Sequence, residues 1–184
     1  MRVIWCKVNA MLINLSDVFS TTGKVLEEKI VPDIKVFDAG FGEYELQSAE
    51  PFVLKFENAA KGKALITGNT LYTFKAQCDR CLKPVSVPVN ISIYRECASP
   101  EFVSDDPYET EELHAFMEGY SIDTDELLHD EITVNWPVKI LCREDCKGLC
   151  PVCGHDLNEG DCGCDTFVPD PRMAAILSKI EDFT

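Results

Sequence analysis

The sequence predicts an α+β domain: a mostly antiparallel β-sheet, or meander, with a few short helices and a C-terminal cysteine-rich loop that binds zinc. Three features predict this class. Apolar and polar residues alternate along segments between residues 52 and 93, a capped helical segment covers residues 123–135, and six of the ten cysteines lie within residues 142–164. With 184 residues, of which 46% are hydrophobic, the chain can bury a core of its own.

The N-terminal part carries the weaker signals. Residues 12–19 form a short apolar segment, which predicts either a strand that leads into a turn of helix or a short helix. Thr21-Thr22-Gly23 is typical of a turn, and the mixed charged and apolar residues 24–36 favour an edge strand.

The central part predicts a meander with one apolar face. Side chains alternate between the two faces of a strand, so apolar residues at every second position mark the buried face. Pro88 lacks a backbone donor, which places the last of these strands near a sheet edge. The residues predicted on the apolar face are Phe52, Leu54, Phe56, Tyr72, Phe74, Ala76, Val85, Val87, Val89, Ile91 and Ile93.

Charge is distributed unevenly along the chain. The net charge of −15 argues against a general nucleic-acid binder, so any RNA contact needs a local basic patch. Residues 55–95 hold seven basic residues against two acids, whereas residues 96–131 hold thirteen acids and no Lys or Arg. We expect residues 99–119 to form a mobile acidic loop. The candidate RNA-contacting residues are Lys55, Lys61, Lys63, Lys75, Arg80 and Lys83.

Two helices are expected in the C-terminal half. Asp123 followed by Glu126 resembles a capping box and predicts a helix up to about Asn135, which Pro137 then ends. Asp170-Pro171 predicts the start of a last helix within residues 169–184.

The cysteines point to structural zinc. Cys150-Pro151-Val152-Cys153-Gly154 has the form of a zinc knuckle, in which two thiolates wrap one ion and a glycine lets the backbone turn. The second pair of ligands stays open between two alternatives. Cys142 with Cys146 is a workable chelate, and Cys162 with Cys164 has a C-x-C spacing that also occurs at metal sites.

A further C-x2-C pair, Cys78 with Cys81, lies in the connection between two predicted strands. It could complete a four-cysteine site with one C-terminal pair, or bind a second zinc ion with the remaining pair. Eight cysteines make two sets of four, so we expect one or two Zn²⁺ ions per chain. Cys6 and Cys97 are isolated and are expected to be free thiols.

Other chemistries fit less well. Five disulfides would require secretion, and the N-terminus lacks a signal-peptide cleavage site and a sustained apolar run. A dithiol oxidoreductase needs a thiol at a helix start, while residues 84–87 favour a strand. The spacing matches no ferredoxin cluster. Nucleotide-binding loops, nucleophile elbows and membrane spans are absent from the sequence, so we expect a cytoplasmic protein that is not an enzyme.

Several blocks resemble the YceD family, the large ribosomal RNA subunit accumulation proteins. They are INLSDVF near the start, CDRCLKPVSVPV in the middle, and DELLHDEITVNWPVKILCREDCKGLCPVCGHDLNEGDCGC followed by DPRMAAILSKI. The resemblance covers about residues 12–181. It implies a role in 23S rRNA synthesis, processing or stability, with no catalytic residues to carry over, and some family members lack the C-terminal cysteines. Family members begin near the INLSDL-like segment, so Met11 is an alternative start to Met1.

The sequence therefore predicts an N-terminal extension at 1–10, an α+β core at 11–137 and a zinc-binding segment at 138–168 before the last helix. The leading hypothesis is a non-enzymatic factor in large-subunit biogenesis that contacts ribosomal RNA or a precursor particle. The alternative is a zinc-stabilised adaptor that docks on a ribosomal protein. We expect neither a membrane nor a small-molecule partner.

Overall fold

The computed structural model describes residues 11–165. The chain divides into two compact units. Among the described residues, unit 1 holds residues 11–76 together with Ser86–Val138, and unit 2 holds Gln77–Val85 together with residues 139–165. The elements, in order, are β1 Leu12–Asn14, α1 Ser16–Ser20, β2 Val25–Ile30, β3 Val36–Asp38, β4 Glu43–Ala49, β5 Phe52–Ala60, β6 Lys63–Gln77, β7 Pro84–Ala98, α2 Pro107–Leu113, β8 Met117–Glu118, β9 Ser121–Asp123 and α3 Thr124–Val134.

The larger sheet has six strands built around β6. β5 pairs antiparallel with the first half of β6, from Lys55 opposite Thr67, and β4 pairs antiparallel with the second half, from Ala49 opposite Tyr72. β7 also pairs with β6, so β5, β6 and β7 form the predicted meander. β2 pairs with β5 and β3 with β4, and these two strands end the sheet order.

A second sheet of three short strands, in the order β1-β9-β8, ties the start of the described chain to the entrance of α3. Leu12 lies opposite Asp123, and Ile13 opposite Ile122. The Thr124 hydroxyl also donates to the Met11 carbonyl at 2.8 Å. Residues 12–19 thus form a strand followed by a short helix, the first of the two predicted alternatives.

The core of unit 1 lies on the apolar face of the large sheet. The predicted alternation is confirmed, since Leu54, Phe56 and Phe74 are fully buried while Val53 on the opposite face is exposed. Phe37 is the centre of an aromatic cluster, because its ring lies 5.6 Å from Phe74 and 5.2 Å from the Trp136 ring, centroid to centroid. The buried residues of α3 that join this core are Leu127, Leu128 and Ile132.

α3 begins where its cap predicts. The Asp123 carboxylate accepts hydrogen bonds from the backbone N–H groups of Asp125 and Glu126, both at 3.1 Å. These bonds satisfy two of the donors that a helix start leaves without partners. The helix ends at Val134, three residues before Pro137.

Two parts of the organisation differ from the prediction. Residues 99–119 contain the helix α2, so this segment is not a continuous loop. Asp106 caps α2 by accepting from the Tyr108 N–H, and Pro107 occupies the first turn, where a missing N–H costs nothing. Residues 77–85, expected in the 11–137 core, group with the cysteine-rich segment in unit 2.

The fold class is confirmed as mostly antiparallel β with three short helices in the described part of the chain. The predicted helix at 169–184 lies outside the described residues, as does the predicted extension at 1–10. Among residues 11–165, no helix has the length and apolar character needed to cross a membrane.

The aromatic cluster yields a test of the core. Phe37 is fully buried, so Phe37→Ala should lower the free energy of unfolding by about 3–5 kcal/mol through lost contacts and a residual cavity. Phe41→Ala is a matched control, because the Phe41 side chain is 72% exposed and its truncation should change stability by less than about 0.5 kcal/mol. Urea unfolding followed by circular dichroism measures both. Equal losses in the two variants would contradict this core.

Candidate metal centres in unit 2

Unit 2 gathers eight cysteines into two groups of four. The first cluster consists of Cys78, Cys81, Cys142 and Cys146, whose sulfurs all lie within 4.8 Å of one another. The Cys78 and Cys146 sulfurs are 3.8 Å apart, and those of Cys81 and Cys142 are 3.6 Å apart. All four are free thiols. The pair Cys78 and Cys81, from the connection between two strands, therefore lies with the pair Cys142 and Cys146.

The second cluster consists of Cys150, Cys153, Cys162 and Cys164, again with all four sulfurs within 4.8 Å. It is more open than the first cluster. Cys150 is buried, but Cys153 is exposed, and Cys162 and Cys164 are half-buried. Of the two alternative partners of the knuckle pair, the structure thus brings the C-x-C pair to it, and the remaining pair lies with Cys78 and Cys81.

A tight turn presents the first C-x2-C pair. The Leu82 N–H donates to the Cys78 carbonyl at 2.9 Å, and the Cys78 N–H donates to the Lys83 carbonyl at 2.9 Å. Leu82 takes a φ of 59°, in the left-handed region that costs a side-chain-bearing residue about 1–2 kcal/mol. We infer that the contacts of this turn offset the strain.

The second C-x2-C pair, Cys150 and Cys153, lies in a separate turn of the same kind. The Gly154 N–H donates to the Cys150 carbonyl at 2.9 Å, and the Cys150 N–H donates to the His155 carbonyl at 2.8 Å. Gly154 occupies the position of Leu82, with a φ of 75° that glycine adopts without strain. His155 is exposed and contributes its backbone, not its ring, to this turn.

Backbone N–H groups favour the thiolate form of the leading cysteine of each pair. Burial raises the pKa of Cys78, but the N–H groups of Cys81, Arg80 and Cys142 outweigh it and bring the pKa to about 6. At Cys150, the N–H groups of Cys153 and Val152 are the main cause of a pKa of about 6, against the opposing effect of burial. Each cluster therefore has one sulfur prepared to carry negative charge near neutral pH.

Other sulfurs of the same clusters resist ionisation. Burial, followed by the neighbouring Cys146 thiol, raises the pKa of Cys142 to about 12. The neighbouring thiols of Cys153 and Cys162 raise the pKa of Cys164 to about 12. Four sulfurs this close cannot all be thiolates unless a cation lies among them, because like charges repel at short range. A divalent ion would remove that conflict and keep all four deprotonated.

The spacing of the sulfurs suits a metal with tetrahedral thiolate coordination. An ion bound at about 2.3 Å to four sulfurs places neighbouring sulfurs about 3.8 Å apart. The separations of 3.6 and 3.8 Å between sulfurs in the first cluster agree with this value. Both clusters could therefore hold a metal ion with sulfur ligands alone.

Backbone and side-chain contacts fix the first pair against the cysteine-rich segment. The Asp79 N–H donates to the Ile140 carbonyl at 2.8 Å, and the Ile140 N–H returns a bond of 2.7 Å to the Asp79 carboxylate. The Leu149 N–H donates to the Arg80 carbonyl at 3.1 Å. Position 148, next to Leu149, requires glycine for two reasons. A Cβ there would lie 2.9 Å from the Arg80 carbonyl oxygen, and the φ of 80° lies in the left-handed region.

The predicted basic residues are divided between the two units. Lys55, Lys61, Lys63 and Lys75 belong to unit 1, whereas Arg80 and Lys83 belong to unit 2. Most of the six have a partner within their own unit: Lys55 with Glu57, Lys63 with Glu109 and Glu96, Lys75 with Glu45, Lys83 with Asp156 and Glu159, and Arg80 with the Cys146 carbonyl.

Of these six, Lys63 is the basic residue whose charge is most enclosed by its partners. Its side chain is only 18% exposed, and its ammonium group lies 2.8 Å from the Glu109 carboxylate of α2 and 4.8 Å from the centre of the Phe102 ring. Lys61 has no ion pair among residues 11–165 and is exposed. The net positive charge of residues 55–95 is therefore largely neutralised by acids distant in sequence, which no local pattern reveals.

Cys97 lies in unit 1, outside both clusters. It is buried, and burial raises the pKa of its thiol to about 12, which suits a small apolar core residue. Cys6 lies outside the described residues. Cys97 is thus a natural control for experiments on the clustered cysteines.

The clusters yield a stoichiometry test. We expect two metal ions per chain by elemental analysis of protein purified without added metal, and one ion in the double variants Cys78→Ser/Cys81→Ser and Cys150→Ser/Cys153→Ser. Each double variant removes half the ligands of one cluster. Cys97→Ser should keep two ions. Two ions in both double variants, or none in the wild type, would contradict the assignment.

Comparison with known proteins finds a family model and several relatives that match this chain. The family model described as large ribosomal RNA subunit accumulation protein YceD matches residues 66–180. An uncharacterized protein of Mycobacterium tuberculosis and one of Mycobacterium bovis are each 30% identical over 127 residues, which is 69% of this chain and 60% of theirs. An uncharacterized protein of Mycobacterium leprae is 28% identical over 93 residues, which is 50% of this chain and 42% of its own.

The chain thus spans about 60% of the length of the first of these relatives. No solved structure matches it. The family model covers more than half of the chain, including all eight clustered cysteines. The chain therefore belongs to the YceD family, the large ribosomal RNA subunit accumulation proteins.

Proposed function

We propose that this protein is a non-enzymatic, cytoplasmic factor in the accumulation and processing of 23S rRNA, and hence in large ribosomal subunit biogenesis. The observation that carries the proposal is the family match over residues 66–180, since the family is named for accumulation of the large-subunit RNA. The matched region begins within β6 and includes both cysteine clusters.

We further propose that each cluster holds one structural Zn²⁺ ion. The ligands would be Cys78, Cys81, Cys142 and Cys146 in one site and Cys150, Cys153, Cys162 and Cys164 in the other. Four thiolates complete the tetrahedral coordination of zinc, whereas a catalytic zinc keeps one position for water or substrate. The ions would therefore stabilise unit 2 without taking part in a reaction.

The dithiol oxidoreductase hypothesis has less support. The sulfurs with pKa values of about 6 belong to four-thiol groups and sit in turns, not at a helix start. Their low pKa values come largely from backbone N–H groups that equally suit metal thiolates.

Contact with ribosomal RNA would use the exposed basic side chains of unit 1. Lys61 is exposed and has no acidic partner in the described part of the chain, and the ammonium group of the half-exposed Lys55 is bound by Glu57 at 2.7 Å. An exposed ion pair contributes only about 0–1 kcal/mol, so a phosphate group can replace the carboxylate. Lys63 is a weaker candidate because α2 covers it.

One observation favours the adaptor alternative. The thirteen acids of residues 96–131 extend from the end of β7 through α2 to α3, and three carboxylates in or just before α2, those of Asp105, Glu111 and Glu112, are exposed. An acidic surface of this kind repels RNA and complements a basic protein. Ribosomal proteins are a basic class of partner, so this surface could dock on one of them.

Charge reversal tests the RNA contact. Lys55→Glu/Lys61→Glu should reduce cosedimentation with large-subunit precursors several-fold, because it removes two cations and adds two like charges to the RNA-facing side. Lys35→Glu, at an exposed position outside the predicted set, is the single-charge control and should cosediment like the wild type. Wild-type cosedimentation by the double variant would show that these lysines do not contact RNA.

Ribonuclease treatment of the same fractions separates the two hypotheses. An RNA contact predicts that the protein leaves the particle when the RNA is digested, whereas an adaptor keeps its ribosomal protein. Retention after digestion, together with loss in a variant that replaces Asp105, Glu111 and Glu112 with their amides, would favour the adaptor.

A further inference from the structure

We propose that the two metal centres are coupled, so that a metal ion in the second cluster strengthens metal binding in the first, and that Asn158 is the positioning residue through which they act. The inference rests on the metal binding proposed above. It concerns residues 154–161, the loop that joins the two ligand pairs of the second cluster.

The loop is anchored at the second cluster. Cys153 precedes it and Cys162 follows it, so an ion bound by both holds the two ends of the loop together. Inside the loop, the Leu157 N–H donates to the Gly148 carbonyl at 2.9 Å, and Asp156 forms a β-bridge with Leu149. Loading of the second cluster would therefore fix the backbone on which Asn158 lies.

Asn158 extends from this loop to the first cluster. Its side-chain amide donates to the Cys146 sulfur at 3.5 Å and to the Asp156 carboxylate at 2.6 Å. Its carbonyl oxygen accepts from the Arg143 guanidinium and from the Lys147 backbone N–H, both at 2.8 Å. All its polar atoms are engaged, which orients the N–H group on the sulfur of a first-cluster ligand.

A second link joins Lys83, beside the first cluster, to the loop. The Lys83 backbone N–H lies against the Cys81 sulfur of the first cluster. The Lys83 ammonium group binds the Asp156 carboxylate at 2.7 Å and the Glu159 carboxylate at 3.3 Å, both in the loop. The loop thus touches the surroundings of two first-cluster ligands, Cys81 and Cys146.

These contacts give the coupling a physical cause. A hydrogen bond to a ligating thiolate reduces its excess charge and fixes its orientation, and loss of such an outer contact typically weakens metal binding 10–100-fold. If the loop is ordered only when the second cluster is loaded, the first cluster gains that contact at the same time. Coupling of this kind is reciprocal, so each ion strengthens the binding of the other.

The different exposure of the two clusters sets the order in which their metal ions are lost. Three first-cluster cysteines are buried, against one in the second cluster. A chelator reaches the second cluster first, and removal of that ion should then speed removal of the other.

The test measures the affinity of the first cluster for Co²⁺, by competition with a chelator and by the thiolate-to-cobalt absorption band. In Cys153→Ser/Cys164→Ser the second cluster loses half its ligands, and we expect first-cluster affinity to fall at least about 10-fold. Asn158→Asp keeps the acceptor for Arg143 but cannot donate to Cys146. It should weaken the first cluster by about 10-fold and shift its absorption band, while two ions still bind at saturation.

Asn135→Asp is the matched control, because it makes the same chemical change in unit 1, where Asn135 caps the end of α3. Its two metal affinities should equal those of the wild type. Equal first-cluster affinity and an unshifted band in wild type and Asn158→Asp would overturn the inference and leave the two-metal proposal standing. A wild-type protein that binds no Co²⁺ would overturn the metal proposal itself.

Discussion

Repulsion among crowded thiolates is the constraint on which unit 2 depends. Two groups of four sulfurs, each within 4.8 Å, cannot all carry charge unless a cation lies among them. In the described part of this unit the apolar core is small: the buried Cys78, Cys81 and Cys146 pack against the partly buried Val85, Leu141 and Leu149. Small units with so little core usually rely on metals or disulfides for stability, and these cysteines are free. Unit 1 is different, because the apolar face of its large sheet is buried and carries an aromatic cluster around Phe37.

The two C-x2-C turns share one backbone conformation, although different residues form it. Both C-x2-C turns close with the same pair of hydrogen bonds, and both need a left-handed residue one position after the second cysteine. Glycine meets this need in one turn and Leu82 in the other, at some cost in backbone strain. The contacts of Asp79 and Arg80 with residues 140, 146 and 149 compensate in the first turn. The second turn has fewer such supports and is the more exposed.

Much of this could be predicted from the sequence because the signals are local. Period-two alternation located β5, β6 and β7, and Asp123 located the start of α3. Which cysteine pairs share a site could not be derived, since Cys81 and Cys142 are 61 residues apart. The helix α2 was missed because acidic composition suggested a loop, although Asp106-Pro107 is a recognisable helix start. The pairing of Lys63 with Glu109 spans 46 residues and depends on the tertiary fold alone.

Segment-resolved hydrogen exchange after metal removal tests most directly whether unit 2 depends on its thiolate centres. The protein would be stripped with a chelator, with metal loss verified by elemental analysis, and compared with untreated protein. We expect protection of backbone amides in residues 78–83 and 140–157 to be lost, while β5 and the paired part of β6 keep theirs. Unchanged protection of residues 140–157 in metal-free protein would show that unit 2 folds without the ions, and would contradict this account.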